Sequence, residues 1–200
     1  MLVCVSTELE GALLRPHVSV VVTGVGAVNA AYALTRSIER ERPEAIIVCG
    51  IGGAYPGSGL AIGDVACAET ECYGDLGAAS PEGFLDMRAL GFPVIAGDNP
   101  IYNFLPMQIF PAARRAAFVT VNTCTGTDDV AQAIETRTGG TVESMEGAAI
   151  AHVAALAGIP VGEIRGISNI VGRRDRSTWR VKEAAAAAQE ALLAWIRRRV

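Results

Sequence analysis

The chain has 200 residues, half of them hydrophobic, 19% charged, with a formal net charge of −4. Such a length and composition describe one domain, residues 1–200, with a sizeable core. The acidic balance, without a basic stripe, argues against nucleic acid or an anionic membrane surface as the partner and leaves a small molecule.

The first segment, MLVCVSTELEG, lacks the basic and long apolar regions of a secretory signal, and no apolar run is long enough to span a bilayer. Five scattered cysteines, Cys4, Cys49, Cys67, Cys72 and Cys124, read as reduced, buried thiols, so a cytoplasmic location is expected.

In chain order, Leu2 to Ser6 reads as a short buried strand, and ELEGALL opens a helix with Glu8 and Glu10 in its first turn. Arg15 to His17 bridge to a second strand, Val18 to Val22, closed by Thr23-Gly24-Val25-Gly26; a helix follows over Ala27 to Glu41. Ala45 to Cys49 is a central strand that empties into Gly50-Ile51-Gly52-Gly53-Ala54, where the backbone can approach a ligand closely. Strands are expected around Asp64 to Glu71, with their acids facing solvent. From Ala78 to Ala112 five prolines interrupt anything regular, which predicts a long functional loop or a subunit contact.

Ala117 to Asn122 is a strand ending in Thr123-Cys124-Thr125-Gly126-Thr127, and Asp128 to Thr138 a short helix. Thr141 to Pro160 then sets one carboxylate, Glu146, at the mouth of an almost wholly apolar helix, Gly147 to Ala157, expected to be buried on nearly all sides. A strand, GEIRGISNIVG, a loop, RRDRSTW, and an Ala-rich helix from about Val181 complete the chain. Alternating strands and helices point to an α/β, three-layer fold with a central mixed, largely parallel sheet, whose ligands sit at the carboxyl ends of strands.

Known nucleotide motifs are absent. Gly24-Val25-Gly26 lacks the third glycine of a dinucleotide turn, and no triphosphate-binding loop occurs. Two histidines, His17 and His152, are too few for a histidine metal site, and His152 reads as a core residue with a satisfied ring; no metal or cofactor is expected. Three polar points remain at strand ends or helix starts: Glu10, Glu146 and Asn169. Singly they read as a solvated helix carboxylate, a partner of the helix dipole and a turn amide. Met145-Glu146 is also what a sugar site needs, with a thioether under the ring and a carboxylate accepting from two hydroxyls.

GVGAVNAA, CGIGGAYPGSGLAIGDV, TCTGT, VESMEGAAIAHVA and IRGISN, in that order and over nearly the whole length, resemble the purine nucleoside phosphorylase and 5′-methylthioadenosine/S-adenosylhomocysteine nucleosidase superfamily. Within it the likeness is strongest to the futalosine hydrolases, menaquinone-pathway enzymes that split hypoxanthine from futalosine. The short Arg15 to His17 connection, CGIGGAY, and Asn169 where adenosine-specific relatives have aspartate carry that likeness.

The resemblance implies that Glu146 binds the 2′- and 3′-hydroxyls, that Met145 packs on the sugar and that Glu10 activates the attacking water. Asn169 would engage the purine edge, and Ser144, Gly50, Ile51, Gly52 and Thr125 would line the substrate. It also implies a homodimer or higher homo-oligomer, for which Pro93 to Pro111, with Phe92, Tyr102 and Phe104, offers an apolar set. Three alternatives stay open: an adenosine-type nucleosidase, a phosphorylase and a non-catalytic nucleoside-binding protein. Glutamates without arginine in STELEG disfavour a phosphate nucleophile.

Overall fold

The computed structural model describes residues 1–111 and 114–199; Ala112, at the end of the proline-punctuated stretch, and Val200 lie outside them. The strands are β1 (Leu2–Val5), β2 (Ser19–Val22), β3 (Ile46–Ala54), β4 (Val65–Tyr73), β5 (Gly77–Ser80), β6 (Gly83–Asp86), β7 (Phe104–Pro106), β8 (Arg114–Thr120), β9 (Val142–Ser144) and β10 (Val161–Ile170). The helices are α1 (Glu8–Gly11), α2 (Ala27–Arg40), α3 (Met87–Leu90), α4 (Asp128–Thr138), α5 (Gly147–Ala157) and α6 (Val181–Arg197).

The fold is α/β around a mixed sheet. β1 pairs in parallel with β2 and β3, β3 with β10, β4 with β8, and β8 with β9. The β4–β10, β3–β9 and β4–β7 pairs are antiparallel, so the sheet is more mixed than the strand-helix alternation suggests. Because β3 pairs with both β10 and β9, the pairings β3–β10–β4–β8–β9 return to β3 and the middle of the sheet closes into a ring. Register shifts in β10 at Ile167/Asn169 and in β4 at Ala68/Thr70 supply local bending of the kind such closure requires.

Alternation along β3 divides the core. Ile46 and Val48 pack with α2 and α5 on one face, through Ala30, Leu34 and the alanines of α5. Ile47 and Cys49 pack on the other face with Ala188, Leu192 and Leu193 of α6. Each such fully buried Ile or Leu contributes about 1.5–3 kcal/mol. The alanines of α6 have a steric reason: a side chain on Gly166 would strike the Ala184 backbone, so α6 lies directly on β10.

Four expectations change. The first helix is one turn long, Glu8–Gly11, because the chain must turn back to β2 within the residues available. The glycines after Cys49 are strand rather than loop: β3 runs on to Ala54, paired with β10. They are small because neighbours occupy their side-chain space, Val142 at 2.7 Å for Gly52 and Val171 at 2.7 Å for Gly53. Glu71 does not face solvent but is wholly buried, since the β4 bulge flips the alternation and turns it toward the α5 side. Residues 77–86 form a hairpin, β5–β6, and Asp86 caps α3 at the Ala89 amide, so this stretch is more regular than its prolines indicate. Helices α4 and α5 match their expected spans, although Leu156 near the end of α5 is 66% exposed.

Candidate active site

A cavity of about 430 Å³ opens where the carboxyl ends of β1, β3 and β10 meet β9 and the starts of α1 and α5. That size suits a small-molecule ligand. It gathers Glu10, Ile51, Gly52, Thr125, Ser144, Met145, Glu146 and Asn169 from the sequence expectations. Gly50 does not line it. A side chain there would collide with the Glu10 carboxylate and lie 2.7 Å from Arg165 Nη1, so Gly50 makes room for both groups behind the wall.

Glu10 is 4% exposed and is not a solvated helix carboxylate. Thr7 ends β1's exit and Glu10 is the third residue of α1, the T-x-x-E spacing of a capping box. Oε2 accepts from the Thr7 amide at 2.9 Å and the Thr7 hydroxyl at 2.8 Å, while Oε1 accepts from the Ile51 amide at 3.0 Å. From behind, Gln189 of α6 grips the same turn, donating to Leu9 O at 3.1 Å and accepting from Leu13 N at 2.8 Å. Cap, strand and α6 together hold the carboxylate in place.

Glu146 is the N-cap residue of α5 yet makes no side-chain bond to its own helix, so a local dipole role does not account for where it points. Oε1 accepts from the Gly26 amide at 3.0 Å and Oε2 lies 3.5 Å from Arg165 Nη2. Gly26 sits at φ 96°, a conformation open to glycine, with its amide on the Glu146 carboxylate.

Arg165 is the central residue that sequence reasoning left out of the site. Its guanidinium, 1% exposed, donates from Nε to Glu163 at 2.6 Å and from Nη1 to Ile51 O at 3.1 Å. Burial alone would lower its pKa, but Glu163, Glu146 and Glu10 outweigh that and raise it, so the charge is locked on. The motif R-x-I-S on a buried strand was its signal.

Glu143 was also missed. It lines the cavity and is held by Tyr55 OH at 2.8 Å, the Thr125 hydroxyl at 2.5 Å and the Thr125 amide at 3.0 Å. An acid inside the three-residue strand β9 was the available hint. Burial and then Glu143 push the Tyr55 hydroxyl far above its usual range, keeping it a donor.

The remaining wall is soft and flat. Met145 Sδ lies 3.2 Å from Cys124 Sγ, and Cys124 is exposed, unlike the other four cysteines. Ser144 Oγ is buried without a hydrogen-bond partner among the described residues. Trp179, with the Arg174 guanidinium 5.0 Å above its ring, is the one aromatic lining residue among those described. It lies far beyond the TCTGT segment, so spacing does not reveal it.

Asn169 follows the β10 bulge, which re-aims its side chain. Its Oδ1 accepts from Ser168 at 2.7 Å and its Nδ2 donates to Ile170 O at 3.2 Å. One acceptor and one donor site of the carboxamide remain. His152 is half-buried with Nδ1 3.2 Å from Tyr73 OH, away from this cavity. Taken together, carboxylate acceptors, a thioether, apolar groups and an amide edge around one cavity suit a polyhydroxylated ring joined to a flat heterocycle.

Comparison with known proteins agrees with that reading. Residues 7–198 match the family model of the Phosphorylase superfamily. A futalosine hydrolase from Thermus thermophilus is 35% identical over 179 residues, covering 85% of this chain and 77% of the relative. One from Acidothermus cellulolyticus is 37% identical over 197 residues, covering 90% and 80%. In fold, the chain superposes on the 5′-methylthioadenosine/S-adenosylhomocysteine nucleosidase of Neisseria meningitidis, solved with methylthio-immucillin-A, with a TM-score of 0.81 at 20% identity, covering 100% of this chain and 98% of that one.

Proposed function

The chain belongs to the Phosphorylase superfamily, with the futalosine hydrolases among its relatives, and on that premise we propose that it hydrolyses the N-glycosidic bond of futalosine and releases hypoxanthine. It is an N-glycosyl hydrolase. The observation that carries the assignment of roles is the convergence of Glu10 and Glu146 on one cavity with Met145 and Asn169.

Cleavage builds positive charge on the sugar and negative charge on the departing purine. Glu146 accepts from the 2′- and 3′-hydroxyls over Met145, and those bonds strengthen as the sugar becomes cationic. Glu10, fixed by Thr7 and Ile51, keeps acceptor capacity to orient water and take its proton. Asn169 accepts from N7–H and donates to O6 of the leaving base, with Ser144, Ile51, Gly52 and Thr125 completing the wall. Arg165 is committed to Glu163, Glu146 and Ile51 O, which supports water over phosphate as nucleophile.

Incubation without phosphate with futalosine, aminodeoxyfutalosine, methylthioadenosine and inosine, followed by chromatography, tests this. Hypoxanthine from futalosine is expected. Release of no base, or a sugar phosphate that grows with added phosphate, overturns it.

Residues 1–200 form a single nucleosidase domain of the three-layer, nucleoside phosphorylase-like kind, working in the cytoplasm, where the exposed Cys124 thiol stays reduced. It works as a homodimer or higher homo-oligomer through the 93–111 arm, whose flanking Phe92 is 65% and Phe104 47% exposed. A monodisperse monomer at high micromolar concentration in light scattering overturns that arrangement.

A further inference from the structure

Behind the pocket wall, and touching neither sugar nor base in the steps above, two carboxyl groups meet in the core. Glu71 on β4 and Glu163 on β10 are both fully buried. Glu71 Oε2 accepts from the Cys72 amide and the Thr120 hydroxyl, each at 3.0 Å, and Glu163 Oε1 accepts from Arg165 Nε at 2.6 Å. The other oxygen of each has no donor among the described residues. Both of these oxygens converge on the space that a side chain on Gly147 would fill.

Two ionised carboxylates offer each other only acceptors and repel; a proton on one turns the contact into a hydrogen bond and halves the buried charge. Burial, and then the neighbouring Glu163 charge, push the Glu71 carboxyl well above the usual range. The proton falls to Glu71 because Glu163 is the partner of the guanidinium. The first turn of α5 ends at the same place: the Ala148 amide donates to Thr120 Oγ1 at 2.8 Å, setting the positive end of the helix beside the shared charge. No third ligand completes a cation site there among the described residues.

We propose that Glu71 and Glu163 share one proton and act as a positioning device for Arg165, drawing it back from Glu146 so that Glu146 keeps its charge for the sugar. The distances have that asymmetry, 2.6 Å from Arg165 to Glu163 against 3.5 Å to Glu146. With Glu71 neutral, Glu163 holds Arg165 at the short distance and Glu146 keeps only the longer contact, so Glu10 and Glu146 together leave net negative charge beside the cavity, where positive charge develops. With Glu163 neutralised instead, Arg165 turns onto Glu146 and cancels the charge the sugar needs. The catalytic consequence rests on the N-glycosidic reading; the shared proton does not.

Two measurements test it. In the infrared spectrum at neutral pH, the folded protein shows a protonated-carboxyl band that disappears in Glu71→Gln; its absence from the wild type overturns the proposal whether or not any nucleoside is cleaved. In kinetics, Glu71→Gln, whose amide donates as the protonated acid does, stays within about threefold of the wild-type kcat/KM, while Glu71→Leu and Glu163→Gln lose about tenfold or more. In Glu163→Gln the loss is in KM as well as kcat, because the sugar-binding carboxylate is neutralised in the free enzyme. Should Glu163→Gln fail to fold, the Gln-against-Leu contrast at Glu71 decides: equal activities overturn the proposal.

Discussion

Glu10 and Glu146 at the cavity and Glu71 and Glu163 beneath it are the same side chain in two solvents. Each cavity carboxylate meets a backbone amide brought from another element, Ile51 for Glu10, which also takes the Thr7 amide of its own cap, and Gly26 for Glu146, and keeps an open side toward the ligand. The deeper pair has an oxygen apiece with no donor and is relieved only by a proton. All four are buried, so donor supply and an open side toward the cavity, not residue type, separate a group that acts on substrate from one that orders its neighbours.

The largest effect that would break this contrast is at the cavity. Glu10→Gln and Glu146→Gln should each lower futalosine turnover by about 10²- to 10⁴-fold while still folding, Gln at position 10 keeping the capping-box contact to Thr7 while its NH2 group faces the Ile51 amide. Retention of more than about half the wild-type rate in Glu10→Gln removes it as the base.

Gly147→Ala comes next. Its new methyl group meets carboxyl oxygens of both Glu71 and Glu163, which have nowhere to move, so a loss of about 3 kcal/mol is expected in denaturant unfolding. Unchanged stability would mean that the carboxyl pair is not packed as described.

Asn169→Asp sharpens the contrast by placing a further carboxyl group at the base end. Asn169 donates to a 6-oxo group, whereas an aspartate accepts from a 6-amino group, so the futalosine to aminodeoxyfutalosine ratio of kcat/KM should narrow or invert. The change amounts to about 1–3 kcal/mol, the cost of one unpaired buried donor. An unaltered ratio makes Asn169 only a turn amide.

The smallest effect is in the pH dependence of stability. Glu71 binds its proton more tightly folded than unfolded. Its contribution is therefore fully present below the ordinary carboxylate range and lost as pH rises through it toward the raised value. The wild type should lose stability relative to Glu71→Gln over that interval, with a slope of at most about 1.4 kcal/mol per pH unit. Parallel curves for the two proteins would mean that Glu71 titrates normally.

What the sequence by itself determined was local. The spans of α4 and α5, the start of β1, Met145-Glu146 at the head of an apolar helix and Glu10 after the first strand were legible because periodicity, caps and glycine stops act over a few residues. Tertiary structure decided the rest. Arg165 read only as part of a strand motif until β10 was laid beside β3, with Gly50 leaving space for the guanidinium next to Glu10. Glu71 looked solvent-facing until one bulge reversed its side of β4, and Trp179 became the flat wall of a cavity whose other residues lie up to 173 positions away, at Ser6. A strand's burial pattern depends on its neighbours and on single-residue register shifts, and neither leaves a trace in the spacing of the chain that carries it.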